Sequence, residues 1–106
     1  MIVSVLTRNT RIMDREAWEA ALGKVDARIR EALGSEAGFV SVEYFWSIDR
    51  AGTFAQVTRW ESEEACRGYI RNGGAATVAT IEESAVPTAP YPNGAWTRAN
   101  YATTEK

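Results

Sequence analysis

Apolar and polar residues alternate along four segments of the chain, and this alternation predicts four β-strands. The segments are residues 2–9 (IVSVLTRN), 39–46 (FVSVEYFW), 53–60 (TFAQVTRW) and 95–103 (AWTRANYAT). The sequence IDRAG between the second and third segments is typical of a turn. These two segments are therefore expected to form an antiparallel hairpin with a loop of about five residues.

Between the strands, apolar residues recur at helical spacing and predict two helical regions. Asp14 is a candidate N-cap, and one helix is expected to follow it and to stop at Gly34 or Gly38. Its apolar face comprises Trp18, Ala21, Leu22, Val25, Ile29, Ala32 and Leu33. A second helix is expected to begin after Ser62, to be interrupted by the NGG sequence at residues 72–74, and to resume over residues 75–84.

The predicted order of elements is β-α-β-β-α-β, which indicates a ferredoxin-like α+β fold. Such a fold has a four-stranded antiparallel sheet with helices on one face only. All three prolines lie in residues 86–94 (VPTAPYPNG), a segment that is expected to be irregular. The length of 106 residues fits a single domain spanning residues 1–106.

The face of the sheet without helices is expected to be too apolar to face water. The residues assigned to it are Val3, Val5, Val40, Val42, Ala55 and Val57. Two sheets packed face to face in a symmetric homodimer would cover this surface. We therefore predict a homodimer, in which the two sheets form an α/β barrel.

Composition and charge exclude several classes of partner and compartment. Twelve Lys and Arg residues against fourteen Asp and Glu give a net charge of −2, which offers no basis for binding nucleic acid or an anionic membrane surface. No apolar run approaches the ~20 residues that span a bilayer. The N-terminus does not have the pattern of a signal peptide, and the lone Cys66 cannot form an intramolecular disulfide. A cytoplasmic protein is expected.

The chain contains no histidine, and this absence limits the chemistry most strongly. A histidine general base, a histidine-ligated metal site and a histidine-ligated haem are all excluded. The sequence also has no Gly-rich phosphate loop and no paired-cysteine motif. We expect neither a metal nor an organic cofactor.

The junction RWESEEA, with its Trp-x-Ser-x-x-Ala pattern from Trp60 to Ala65, follows the hairpin in a chain of suitable length. In this respect the sequence resembles the antibiotic biosynthesis monooxygenase family over residues 2 to about 101. The resemblance implies a dimeric α/β-barrel fold and a pocket in each subunit between the sheet and its helices. Several relatives use that pocket to oxidise polyphenols with molecular oxygen, without metal or flavin.

Some of the family's pocket positions are matched in this sequence, and others hold a different residue. Trp60 matches the tryptophan that lines the pocket of quinone-forming relatives, and Gln56 stands where they have an asparagine. Cys66 replaces a tyrosine of that group. In the haem-degrading branch a tryptophan and a haem-ligating histidine lie at positions near Tyr69 and Ala79, and an asparagine lies near Asn9. Because the ligating histidine is missing, the resemblance does not favour haem degradation.

Period-two alternation places Phe54, Gln56, Thr58 and Trp60 on one face of the third strand. An amide and a hydroxyl beside two aromatic rings suit a mostly apolar ligand pocket. Trp60 is either core at the seam between helix and sheet, or a stacking wall for a flat ligand. A buried Gln56 is either hydrogen-bonded within the protein or available to a ligand.

The predicted site has two groups of residues. Gln56, Trp60 and Asn9 are the candidates for the reaction, and Phe54, Thr58, Cys66 and Tyr69 are the candidates for substrate binding. Structural alternatives remain for several of them, since Asn9 also suits a turn, Tyr69 a core position, and Cys66 a small buried apolar site. Arg59 and Arg98 are interpreted as solvated or ion-paired, and Tyr44, Trp46 and Trp96 as sheet packing or dimer contacts.

The function expected from these observations is that of a cofactor-independent monooxygenase of the quinone-forming type, acting with O2 on a small aromatic or polyphenolic substrate. Neutral hydrogen-bond donors would favour the deprotonated substrate inside an apolar pocket. Two alternatives remain open, because a fold does not determine a function. One is a homodimer that binds a small hydrophobic ligand without catalysis. The other is an isomerase, cyclase or decarboxylase on the same scaffold.

Overall fold

The computed structural model describes residues 1–89 and 95–104. It contains strands β1 (Ile2–Asn9), β2 (Phe39–Trp46), β3 (Thr53–Trp60) and β4 (Thr97–Ala102). They form one antiparallel sheet in the order β2-β3-β1-β4. The ferredoxin-like fold class and the β2-β3 hairpin are thereby confirmed. Within the described ranges, no helix combines the length and the apolar character that crossing a lipid bilayer requires.

The first helical region is divided into α1 (Arg15–Gly23) and α2 (Asp26–Gly34), so the prediction of one continuous helix is wrong. The Asp14 carboxylate caps α1 by accepting a hydrogen bond from the Ala17 backbone N–H at 2.9 Å. Gly23 has a low helix propensity. After it the backbone forms the tighter hydrogen bonds of a 3₁₀ turn, from the Lys24 N–H to the Ala21 carbonyl and from the Val25 N–H to the Leu22 carbonyl. The apolar spacing remains in register across this break, which is why the sequence did not reveal it.

The second helical region is divided into α3 (Glu63–Arg71) and α4 (Gly74–Glu83), and here the predicted interruption is confirmed. The Ser62 hydroxyl caps α3 by accepting from the Ala65 N–H at 3.1 Å. Gly73 separates the two helices with a φ of 92°, a conformation that residues with a Cβ rarely adopt. Of the proline-rich segment, residues 90–94 lie outside the described residues.

Four rows of side chains cross the sheet on the face that the helices cover. From one end they are Phe39–Trp60–Ile2–Ala102, Val42–Thr58–Ser4–Asn100, Tyr44–Gln56–Leu6–Arg98 and Trp46–Phe54–Arg8. A bulge between Phe39 and Ser41 shifts the register of β2. The shift turns Val42 toward the helices, where it is buried, so its assignment to the opposite face is wrong.

Val3, Val5, Ala55 and Val57 lie on the opposite face of the sheet, as predicted. Each of these four side chains is only half-buried, and Phe45 and Tyr101 are exposed. Arg59 and Glu43 pair across the hairpin at 3.8 Å. No partner chain is present, and the homodimer stays a prediction.

Candidate functional site

A cavity of about 350 Å³ lies on the helix side of the sheet, between β1, β4 and the α3–α4 pair. This volume falls within the range of small-molecule sites. Most of its wall is apolar and comes from Leu6, Ile70, Ala75, Ala76, Ala79 and Trp96. The alanines of α4 contribute to this space, because their short side chains fill little of the volume between the helix and the strand opposite. The cavity suits a flat, mainly hydrocarbon ligand.

Four polar residues complete the wall of the cavity: Arg8, Glu83, Thr88 and Arg98. Arg8 and Arg98 come from the inward rows of β1 and β4, whereas Glu83 ends α4 and Thr88 follows it. Trp96 immediately precedes β4 and is 62% exposed, so one indole borders the opening of the cavity. The site therefore combines an apolar body with two guanidinium groups and one carboxylate.

Arg8 is held in a network of charged hydrogen bonds. Its Nη1 donates to Glu82 Oε1 at 2.7 Å, and its Nη2 donates to Thr88 Oγ1 at 2.8 Å and to the Glu83 carboxylate. Thr88 Oγ1 in turn donates to Glu83 Oε1 at 2.8 Å. A guanidinium held by two carboxylates and a hydroxyl has a fixed orientation, and its charge is already compensated.

Glu82 is completely buried, and Gln56 and Tyr44 complete its shell of donors. Tyr44 donates its hydroxyl to Glu82 Oε2 at 2.8 Å, and Gln56 Nε2 donates to Tyr44 Oη at 2.9 Å and to Glu82 Oε2 at 3.3 Å. Burial raises the pKa of Glu82 above its ordinary value, against the opposing effects of Tyr44 and Arg8. Burial, with the nearby charge of Glu82, also raises the pKa of the Tyr44 phenol. The amide nitrogen of Gln56 thus has two hydrogen-bond acceptors within the protein.

The raised pKa of Glu82 makes stability depend on pH. The folded chain retains the Glu82 proton at pH values where the unfolded chain has lost it, so this stabilising contribution is complete below the ordinary carboxyl pKa of about 4.3. The contribution is lost as the pH rises through the folded-state pKa.

The free energy of unfolding of the wild type should therefore fall between about pH 5 and about pH 8 relative to that of Glu82→Gln. Urea unfolding at both pH values measures the difference, and Glu31→Gln, at an exposed position, is the control. Parallel pH profiles for wild type and Glu82→Gln would contradict the assignment.

The predicted residues of β3 are buried, and none of them is on the described wall of the cavity. Trp60 is 0% exposed, donates its Nε1 to Thr58 Oγ1 at 2.9 Å, and packs on Tyr69 with ring centroids 4.6 Å apart. Phe54 is buried against Trp18 at 5.6 Å between centroids. The row of Trp60 is two rows from that of Gln56. The structure therefore joins Trp60, Thr58 and Tyr69 in one cluster and places Gln56 in the Glu82 network.

The Tyr69 hydroxyl is buried without a hydrogen-bond partner among the described residues. Burial raises its pKa, so it remains a neutral phenol. Because an unpaired buried hydroxyl costs about 1–3 kcal/mol, Tyr69→Phe should leave the free energy of unfolding unchanged or raise it. Tyr44→Phe is the matched control, since it removes a hydroxyl with two partners and should lower that free energy by about 1–3 kcal/mol. Equal losses in urea unfolding for the two variants would contradict the description of Tyr69.

Cys66 and Asn9 lie away from the Glu82 network. Cys66 is buried on α3, and burial raises the pKa of its thiol, which disfavours a thiolate. Asn9 ends β1 on the opposite face from Gln56, where it accepts from Thr53 Oγ1 at 2.8 Å and donates to the Ala95 carbonyl at 3.4 Å. The predicted seven-residue site therefore does not form a single cluster around one cavity.

The charged residues of this site were not predicted from the sequence. Arg8 occupies an inward position in the alternation of β1, and Glu82 lies one turn after the buried Val78 on α4. A charge at an inward strand position and an opposite charge on an apolar helix face form a recognisable signal, because buried charges need partners. Within the described residues, no group of three or more potential metal-ligating side chains occurs.

Comparison with known proteins gives structural matches only. No protein-family profile matches the sequence. A search of curated protein sequences also gives no match. The solved structure of the cofactor-independent oxygenase SnoaB from Streptomyces nogalater aligns with a TM-score of 0.60 and 16% identity, over 99% of this chain and 95% of that one.

Two further structures align over almost the whole chain. The monooxygenase ActVA-Orf6 from Streptomyces coelicolor, in complex with nanaomycin D, has a TM-score of 0.66 and 21% identity over 99% of this chain and 88% of that one. The haem-degrader MhuD from Mycobacterium tuberculosis, with two haems in its active site, has a TM-score of 0.63 and 17% identity over 100% of this chain and 98% of that one. The chain has the fold of the antibiotic biosynthesis monooxygenases, as the sequence resemblance implied.

Proposed function

We propose that the protein is a cofactor-independent monooxygenase that oxidises a small aromatic phenol or anthrone with O2. The cavity between sheet and helices is the observation that carries the proposal, because a mostly apolar wall with one carboxylate held in a fixed position suits removal of a proton from a bound aromatic substrate. Structural neighbours that include a cofactor-independent oxygenase support the same reaction class.

In the proposed reaction the substrate itself supplies the electrons that reduce O2. Closed-shell organic molecules react slowly with oxygen unless they form an electron-rich carbanion or phenolate. Removal of a proton from an anthrone gives such an anion, which adds O2 and forms a C–O bond. Cleavage of the O–O bond with loss of water then leaves a new carbonyl, so CH2 and O2 become C=O and H2O.

Glu83 is the proposed proton acceptor, because it is the only carboxylate on the described wall of this cavity. Its hydrogen bonds to Arg8 and Thr88 fix its position. Gln56 and Tyr44 are proposed as positioning residues, which hold Glu82 and through it the guanidinium of Arg8. The apolar remainder of the wall excludes water, which strengthens these electrostatic interactions.

The other predicted residues have supporting roles in the proposal. Trp60 of β3 and Tyr69 of α3 pack together in the core and keep α3 in place against β3. Asn9 links β1 to the residue that precedes Trp96 through its bond to the Ala95 carbonyl. We expect the double variant Trp60→Phe with Gln56→Ala to lose activity through displacement of Arg8 and α3.

A homodimer formed through the open sheet face is part of the proposal. The exposed Phe45 and Tyr101 and the half-buried Val5 and Val57 supply an apolar surface for it. Light scattering should give twice the mass of one chain. A monomer at micromolar concentration would contradict this part of the proposal without affecting the cavity.

Product formation with and without oxygen tests the reaction class. With an easily oxidised anthrone, the protein should form the quinone in air but not under nitrogen, and 18O2 should place one labelled atom in the product. Product formation under nitrogen would instead favour an isomerase, cyclase or decarboxylase. Ligand binding that quenches tryptophan fluorescence without any turnover would favour a non-catalytic binding protein.

A further inference from the structure

The cavity wall carries two guanidinium groups that differ in how their charge is compensated. Arg8 is paired with Glu82 and Glu83. Arg98 donates its Nη1 to the hydroxyl of Ser4 at 3.0 Å, and no described carboxylate lies within ion-pair distance of it. Arg98 is thus a cation on the wall of a mostly apolar cavity, without an anionic partner in the described part of the chain.

The position of Arg98 is fixed by the sheet. It is opposite Leu6 in the β1–β4 register, in the same row as Gln56 and Tyr44, and its side chain is half-buried. The buried Ser4 holds one end of the guanidinium and leaves the remaining N–H groups for another acceptor. Its charge also acts on the neighbouring buried Tyr69 and Cys66, opposing the effect of burial on the pKa of each.

We propose that Arg98 binds an ionised oxygen substituent of the substrate, so that the cavity selects aromatic anions over neutral aromatics of the same shape. A guanidinium fork recognises carboxylate and phenolate oxygens by charge-assisted hydrogen bonds, which strengthen in apolar surroundings. The ring system of the ligand would lie along Leu6, Ile70 and Ala79, with Trp96 at the entrance. The inference rests on the proposed function only for its assumption that this cavity is the substrate site.

Binding of two matched probes tests the inference without any oxidation. 2-Naphthoate and 2-naphthamide have nearly the same shape, but only the first is an anion at neutral pH. By isothermal titration calorimetry, the wild type should bind 2-naphthoate about tenfold or more tightly than 2-naphthamide. Arg98→Met should weaken naphthoate binding by about tenfold and leave naphthamide binding within about twofold, and Arg98→Lys should retain part of the preference.

Arg67→Met is the control, because Arg67 is an exposed arginine of α3 that pairs with Glu63 outside the cavity. It should not change the affinity for either probe. Equal affinities of the wild type for the two probes, binding of neither, or equal weakening of both by Arg98→Met would overturn the inference. If Arg98→Met does not fold, the wild-type comparison and Arg98→Lys decide the question.

The outcomes for this inference and for the proposed function are separable. A protein that prefers naphthoate through Arg98 but forms no quinone supports the anion site and excludes the monooxygenase. A protein that forms quinone without any preference for the anionic probe supports the monooxygenase and excludes this role of Arg98.

Discussion

Arg8→Met is expected to lower the free energy of unfolding by about 3–5 kcal/mol at about pH 8, because it leaves the carboxylate of Glu82 buried without its cation. The loss should be smaller at about pH 5. There Glu82 can take up a proton, which removes the unpaired charge. Urea unfolding at the two pH values measures both effects.

The double variant Arg8→Met with Glu82→Gln separates the charge pair from the packing around it. The amide of the new side chain keeps an acceptor for Tyr44 and removes the uncompensated charge, so the double variant should recover at least half of the lost stability. Arg30→Met is the matched control, since Arg30 forms an exposed ion pair with Asp26 and should cost less than about 1 kcal/mol. Additive losses in the double variant would show that Arg8 and Glu82 do not form a coupled buried pair.

Filling the cavity is expected to have the largest effect on activity. Ala79 lies on α4 and lines the cavity, so the ring of Ala79→Phe would occupy space that the substrate needs. We expect the rate of oxygen-dependent quinone formation to fall about a hundredfold, because small displacements of reacting groups can have effects of this size. The rate at saturating substrate, measured by absorbance of the quinone, is the readout.

Ala20→Phe is the control for this substitution, since Ala20 is an exposed position of α1 away from the cavity. Both variants should keep the circular dichroism spectrum of the wild type. A folded Ala79→Phe variant with a rate within about twofold of the wild type would place the reaction outside this cavity.

The sequence predicted the strands and the β2–β3 hairpin because alternation and turn residues are local signals. The break between α1 and α2 and the bulge at Phe39 were not predicted. In both places the apolar spacing continues through the irregularity, so the pattern contains no sign of it. The turned side chain of Val42 shows the consequence, since one extra residue reverses the face of every residue that follows.

The site was harder to predict than the fold because it depends on contacts between residues far apart in the chain. Gln56 was recognised as a buried amide that needs partners, but the partner Glu82 could be found only from the tertiary structure. Arg98 was interpreted as solvated or ion-paired, whereas the structure places it on the cavity wall with a serine as its polar contact. Residue type indicates what a side chain needs, and the fold determines which group supplies it.

Oxygen consumption by chelator-treated wild-type protein, with an easily oxidised anthrone as substrate, tests the central claim most directly. We predict an initial rate above that of the uncatalysed reaction, proportional to protein concentration and unchanged by the chelator. A rate equal to the uncatalysed rate at every protein concentration would contradict it.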